Sequence, residues 1–94
     1  VYGNKLKAVI LYGSVARGTA TEESDIDIMV LVDGTAQELR TFEDQLSDVS
    51  TDISIKYFKV FSIIDISYQE YMRWVNTSPF YRNVSKEGVI LYAA

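Results

Sequence analysis

The chain is predicted to fold as one mixed α/β domain, a sheet of about four strands covered by helices. Three observations carry that expectation. Short runs rich in β-formers, Lys7–Tyr12 (KAVILY), Asp25–Val32 (DIDIMVLV) and Val89–Tyr92 (VILY), are spread along the chain. Between them lie stretches with apolar residues at helical spacing, each preceded by a capping residue. The 94 residues suffice for one core and not for two, so residues 1–94 are read as a single domain.

Taken in order, Val1–Lys5 reads as the tail of a helix closed at Gly3 or Asn4, and Lys7–Tyr12 as a central strand. Ser14–Gly18 makes one helical turn, and Thr19–Ser24 an exposed loop. In the second strand Ile26, Ile28, Val30 and Val32 share one face, while Asp25, Asp27, Met29 and Leu31 share the other. Asp33-Gly34 turns the chain, and Thr35 with Glu38 forms a capping box. Leu39, Phe42, Leu46 and Val49 then make an apolar helical stripe, expected to end near Ser50. Thr51–Phe61 alternates Ile53, Ile55 and Tyr57 against Asp52, Ser54 and Lys56, the pattern of a third strand. Ser62–Ile66 is ambiguous between strand and helix. Ser67 with Glu70 opens a further helix to about Asn76, and Ser78-Pro79 another that runs to Glu87 and is closed by Gly88.

Composition narrows the chemistry. Hydrophobic content of 48% with 23% charged residues is that of a folded globular chain. No apolar run approaches the ~20 residues of a membrane helix, and no signal-peptide pattern opens the chain. The chain starts at Val1, so a few further residues are expected before it. With no Cys and no His, thiolate nucleophiles, Cys- or His-based zinc sites and histidine bases are excluded, and a reducing, cytoplasmic setting is expected. The net charge of -4 argues against extended nucleic-acid binding but not against a single nucleotide, since a bound cation supplies positive charge locally.

The most informative stretch is Leu11–Val32, LYGSVARGTATEESDIDIMVLV. Gly13 permits a tight turn or close backbone approach, and Ser14 offers a hydroxyl and an N–H to a phosphate oxygen. Asp25 and Asp27 project from one strand face about 7 Å apart, where a divalent cation relieves their repulsion. If the third strand lies beside the second, Asp52 at its start approaches the same pair, and three carboxylates beside a phosphate site suit metal-assisted displacement at phosphorus. Gly13 and Gly18 have P-loop spacing, but Thr19-Ala20 follows where Lys-Ser/Thr is required, so that motif fails. Arg17 serves equally well as a phosphate contact or as a brace against Glu22, Glu23 or Asp25. Lys56 would share the face of Asp52. The aromatic group Tyr68, Tyr71, Trp74, Phe80 and Tyr81 reads as core and partner surface rather than a stacking platform.

GSVARGTATEESDID resembles the signature of nucleotidyltransferases with the DNA polymerase β-like fold, above all the small stand-alone minimal nucleotidyltransferases often paired with a helical HEPN toxin. The ending SPFYRNVSKEGVILY is similar to the close of such domains, so the likeness spans about Lys7 to Tyr92. The resemblance implies that Gly13 and Ser14 hold the nucleoside triphosphate and that Asp25 and Asp27 bind Mg²⁺. It assigns the third acidic role, activating the acceptor, to Asp52. It further implies Mg²⁺-dependent transfer of a nucleoside monophosphate, AMP from ATP, to a hydroxyl, with a HEPN-type protein as partner. The competing expectation is a catalytically silent module that neutralises a partner by contact.

Overall fold

The computed structural model describes residues 2–19, 21 and 24–94. A 3₁₀ turn at Gly3–Lys5 leads into β1 (Leu6–Tyr12), α1 (Gly13–Arg17), β2 (Ile26–Val32), α2 (Ala36–Arg40) and α3 (Glu43–Tyr57). β3 (Phe61–Ser67), α4 (Tyr68–Trp74), α5 (Pro79–Glu87) and β4 (Val89–Ala93) complete the chain. The four strands form one mixed sheet in the order β3-β2-β1-β4. β1 is antiparallel to β2 and β4, whereas β2 and β3 run parallel. Joining parallel neighbours requires a crossover, and α2 with α3 supplies it.

The two-faced reading of the second strand holds. Met29 and Leu31 are buried with Ile10, Tyr71 and Val84 on the face covered by α4 and α5. Val30 and Val32 are buried with Tyr2 and Leu39 on the face covered by α2. A strand apolar on both sides must be covered on both sides, and this places β2 in the middle of the molecule. The capping expectations hold as well. Thr35 Oγ1 accepts from the N–H of Glu38 at 3.1 Å, and Ser78 Oγ accepts from the N–H of Tyr81 at 3.4 Å with Pro79 in the first turn. Among the described residues no helix is long and apolar enough to cross a membrane.

Three expectations are corrected. At the N-terminus a 3₁₀ turn, with Gly3 left-handed at φ 57°, stands where the end of a helix was expected; Val1 lies outside the described residues. The largest correction concerns Thr51–Phe61. The chain remains helical to Tyr57, stops at Phe58 in the left-handed region (φ 54°), and only then enters β3. Ile53 satisfies a period of two, but it also extends the row Phe42, Leu46, Val49 by one helical step. That row is the one half-buried, whereas Ile55 and Tyr57 stand 67% and 59% exposed. The stripe facing the sheet therefore governs the segment. Two serines of α3 then secure the next strand: Ser50 Oγ donates to the carbonyl of Phe61 at 2.8 Å, and Ser54 Oγ accepts its N–H at 3.1 Å. The predicted single helix is interrupted at Thr41, whose hydroxyl donates to the carbonyl of Glu38 at 2.6 Å. Ser62–Ile66 resolves as strand.

Candidate active site at the β1–α1 corner

The β1–β2 register sets the site. Tyr12, the last residue of β1, pairs with Asp27, the second residue of β2. The chain then turns through Gly13 at φ 77°, a conformation that L side chains adopt only with strain. A Cβ on Gly13 would meet the carboxylate of Asp27, lying 3.3 Å from its Cγ. Gly13 and Asp27, separated by more than a dozen residues in sequence, thus come together in space. Gly18, left-handed at φ 74°, closes α1, and the N–H of Thr19 bonds the carbonyl of Ser14 at 3.0 Å.

Asp27 is half-buried and Asp25 exposed at the lip of the sheet. The N–H of Ile26, between them, bonds the carbonyl of Val60 at 2.9 Å, which fixes the start of β2 against the approach to β3. Burial, and then the nearby negative charge of Asp27, push the Tyr12 phenol above its ordinary pKa.

One wall of the site was not legible in the sequence. α5 crosses α1 and, with it, encloses a cleft of about 190 Å³ lined by Tyr12, Gly13, Arg17, Phe80, Asn83 and Glu87. The Phe80 ring meets Tyr12 edge-on at a centroid distance of 5.6 Å. Arg17 bonds Glu87 at 3.5 Å, a partner absent from the sequence reading; Glu22 and Glu23 lie outside the described residues. Ser78-Pro79 and Gly88 announced the helix, but no sequence signal announces what it packs against. Of the aromatic group, Tyr71 is buried and Tyr81 half-buried in the core, whereas Phe80 is 45% exposed at the cleft.

The structure does not bring Asp52 to this corner. It lies exposed on α3, because the strand that was to carry it is helix. Lys56 leaves with it, its ammonium 5.5 Å over the Tyr57 ring. The residue opposite Asp27 on β3 is Ser62. The carboxylate of β3, Asp65, pairs with Val30 and accepts from the hydroxyl of Tyr2 at 2.8 Å on the other face of the sheet. Among the described residues no group of three or more Asp, Glu, His or Cys side chains is placed to share a metal ion.

Comparisons with known proteins agree with this architecture. A family model described as "Polymerase beta, Nucleotidyltransferase" matches residues 2–94. The chain is 40% identical over 91 residues to "Putative protein adenylyltransferase MJ0604" of Methanocaldococcus jannaschii, covering 97% of this chain and 83% of that protein. A second protein of that organism, "Putative protein adenylyltransferase MJ0128", is 44% identical over 57 residues, 55% of this chain and 58% of its own. Among solved structures, one described as a toxin–antitoxin with AMP-PNP superposes with a TM-score of 0.61 at 22% identity, over 96% of this chain and 63% of that one. A mutant of the toxin–antitoxin MntA-HpeT gives 0.62 at 19% identity, over 99% of this chain and 65% of that one. These two likenesses concern the fold. With the family match running nearly end to end over a Gly-Ser corner set against an Asp-x-Asp strand, the chain belongs to the polymerase beta nucleotidyltransferase family.

Proposed function

We propose that the protein transfers a nucleoside monophosphate, AMP from ATP, to a hydroxyl group of a protein partner and releases pyrophosphate. The observation that carries this reading is the close approach of Gly13 to Asp27, which sets a corner without a side chain directly against a carboxylate. The names of the adenylyltransferase relatives support AMP as the group moved, and the AMP-PNP of the structural neighbour supports ATP as its donor.

Asp27 in β2 and Asp25 just before it offer hard oxygen donors, the type Mg²⁺ takes together with substrate phosphates. Held there, the ion supplies charge neutralisation at the phosphates and acidifies the acceptor hydroxyl. Gly13, lacking a side chain, lets the triphosphate approach the backbone, and Ser14 offers its hydroxyl and N–H to a phosphate oxygen. Arg17, released from Glu87, reaches the outer phosphates. With the leaving group so held, the acceptor oxygen bonds to the α-phosphorus as the bond to the bridging oxygen breaks, and the acceptor proton passes to solvent. Pyrophosphate carries the departing charge.

The acceptor is read as a hydroxyl on a second protein, a reading supported by the names of the relatives, which are protein adenylyltransferases. The toxin–antitoxin neighbours and the sequence resemblance favour a helical toxin of HEPN type as that protein. A silent binding module is the alternative, favoured by the exposed apolar strand Val89–Tyr92, which suits contact without chemistry. Incubation with α-labelled ATP, Mg²⁺ and a HEPN-type toxin as acceptor separates the two. Labelled toxin is expected from the wild type and from Asp52→Asn, and none from Asp27→Asn. Equal labelling by wild type and Asp27→Asn refutes the proposal.

A further inference from the structure

β3 runs parallel to β2 with Asp27 opposite Ser62, Met29 opposite Ile64 and Leu31 opposite Ile66. Ile64 and Ile66 pack into the cluster that holds Met29 and Leu31. Strand alternation carries Ser62 to that same face, beside Asp27 and one interstrand spacing of about 4.8 Å away. Asp65, an odd number of residues further on, falls on the opposite face, and its hydrogen bond to Tyr2 fixes it there. A side chain on β3 can therefore stand beside Asp27 on its own face only from position 62, and that side chain is an exposed serine.

We infer that Ser62 occupies the third ligand position of the candidate metal site, and that its neutral hydroxyl makes cation binding depend on the nucleotide. The inference rests on the transfer reading above for the location of the metal. Mg²⁺ requires six oxygens in near-ideal octahedral array and is reluctant to shed water. One exposed and one half-buried carboxylate give two negative charges, and a serine adds none. Oxygens of the triphosphate would supply the further donors that these residues lack. By linkage, the nucleotide raises the affinity for cation by the same factor as the cation raises the affinity for nucleotide. A domain built this way holds little metal at rest and assembles its site only when ATP arrives.

Titration of Mn²⁺ into the nucleotide-free protein, with free Mn²⁺ followed by electron paramagnetic resonance, tests this directly. Ser62→Asp is expected to bind at least ~10-fold more tightly than wild type, since affinity at such sites follows the charge count of the ligands. Ser62→Asn, of matched size but neutral, should match wild type, and so should Asp65→Asn. Adding ATP should tighten Mn²⁺ strongly in wild type and much less in Ser62→Asp. An unchanged Mn²⁺ affinity in a folded Ser62→Asp variant overturns the inference, and so does a loss of affinity in Asp65→Asn. A wild type that binds no ATP, beside a Ser62→Asp that gains Mn²⁺, overturns the transfer reading while the assignment of position 62 stands.

Discussion

The Cα of Gly13 and the carboxylate of Asp27 stand so close that a methyl group added at Gly13 would force the carboxylate to shift. This contact is the geometric centre of the candidate site, and Gly18 provides its control. Both glycines are left-handed, φ 77° and φ 74°, but a Cβ on Gly18 meets nothing within 4 Å. Either substitution by Ala costs about 1–2 kcal/mol for the backbone alone. Only Gly13→Ala must also displace Asp27. Thermal melts should show both variants losing several degrees, with Gly13→Ala losing more. ATP binding in Mg²⁺ should fall at least ~10-fold in Gly13→Ala, a loss of about 1.4 kcal/mol, and stay near wild type in Gly18→Ala. Equal ATP affinities in the two variants would remove the Gly13–Asp27 contact from the site.

Arg17 and Glu87 form an ion pair at 3.5 Å with both side chains about half exposed (48% and 46%). Such pairs are worth about 0–1 kcal/mol, so Glu87→Gln should leave the melting temperature almost unchanged. Its effect should appear in binding instead. Freed of its partner, Arg17 meets the triphosphate without first giving up a carboxylate, and ATP affinity should rise a few-fold at low salt. Arg17→Gln should lower that affinity and flatten its dependence on ionic strength. Calorimetry at two salt concentrations measures both. A Glu87→Gln variant that binds ATP more weakly would mean that Glu87 contacts the ligand rather than restraining Arg17.

The pair Tyr2 and Asp65 lies on the opposite face and is structural. Burial first, then the hydrogen bond to Asp65 and its charge, raise the Tyr2 pKa above that of a free phenol. A folded-state value above the unfolded one means that the stabilisation is complete below the unfolded pKa of about 10 and is lost as pH rises beyond it. Urea unfolding between pH 8 and pH 11 (roughly bracketing the unfolded value) should therefore show stability falling at the alkaline end. Tyr2→Phe should cost about 1–2 kcal/mol near neutral pH, where the bond to a carboxylate is lost, and should decline less steeply above it. An identical alkaline slope in Tyr2→Phe would assign the effect to Tyr12 and Tyr81, which are also shifted upward.

Much of this molecule was written in local pattern. Lys7–Tyr12 reads as a central strand because it is a short apolar run rich in β-formers, and Asp25–Val32 as a strand mostly covered on both faces because its apolar residues fall on both sides. The caps at Thr35, Ser67 and Ser78 fixed where three helices begin, because each hydroxyl satisfies a backbone N–H that the helix itself leaves unpaired. Gly13, Ser14, Asp25 and Asp27 stood out for the same kind of reason: their chemistry is local, and the short path between them leaves few ways to arrange it.

Tertiary structure decided what local pattern leaves degenerate. Ile53 fits a strand and a helix alike, and the docking of Leu46, Val49 and Ile53 toward the sheet chose the helix. That choice carried Asp52 away from the site and moved the start of the third strand to Phe61. With it went the identity of the residue facing Asp27, because a parallel register is set by which apolar side chains interlock across the sheet rather than by any turn. The same holds for α5, whose limits were readable but whose placement against Arg17 was not. Contacts between segments far apart in the chain depend on the complementarity of two surfaces, and neither segment encodes that by itself.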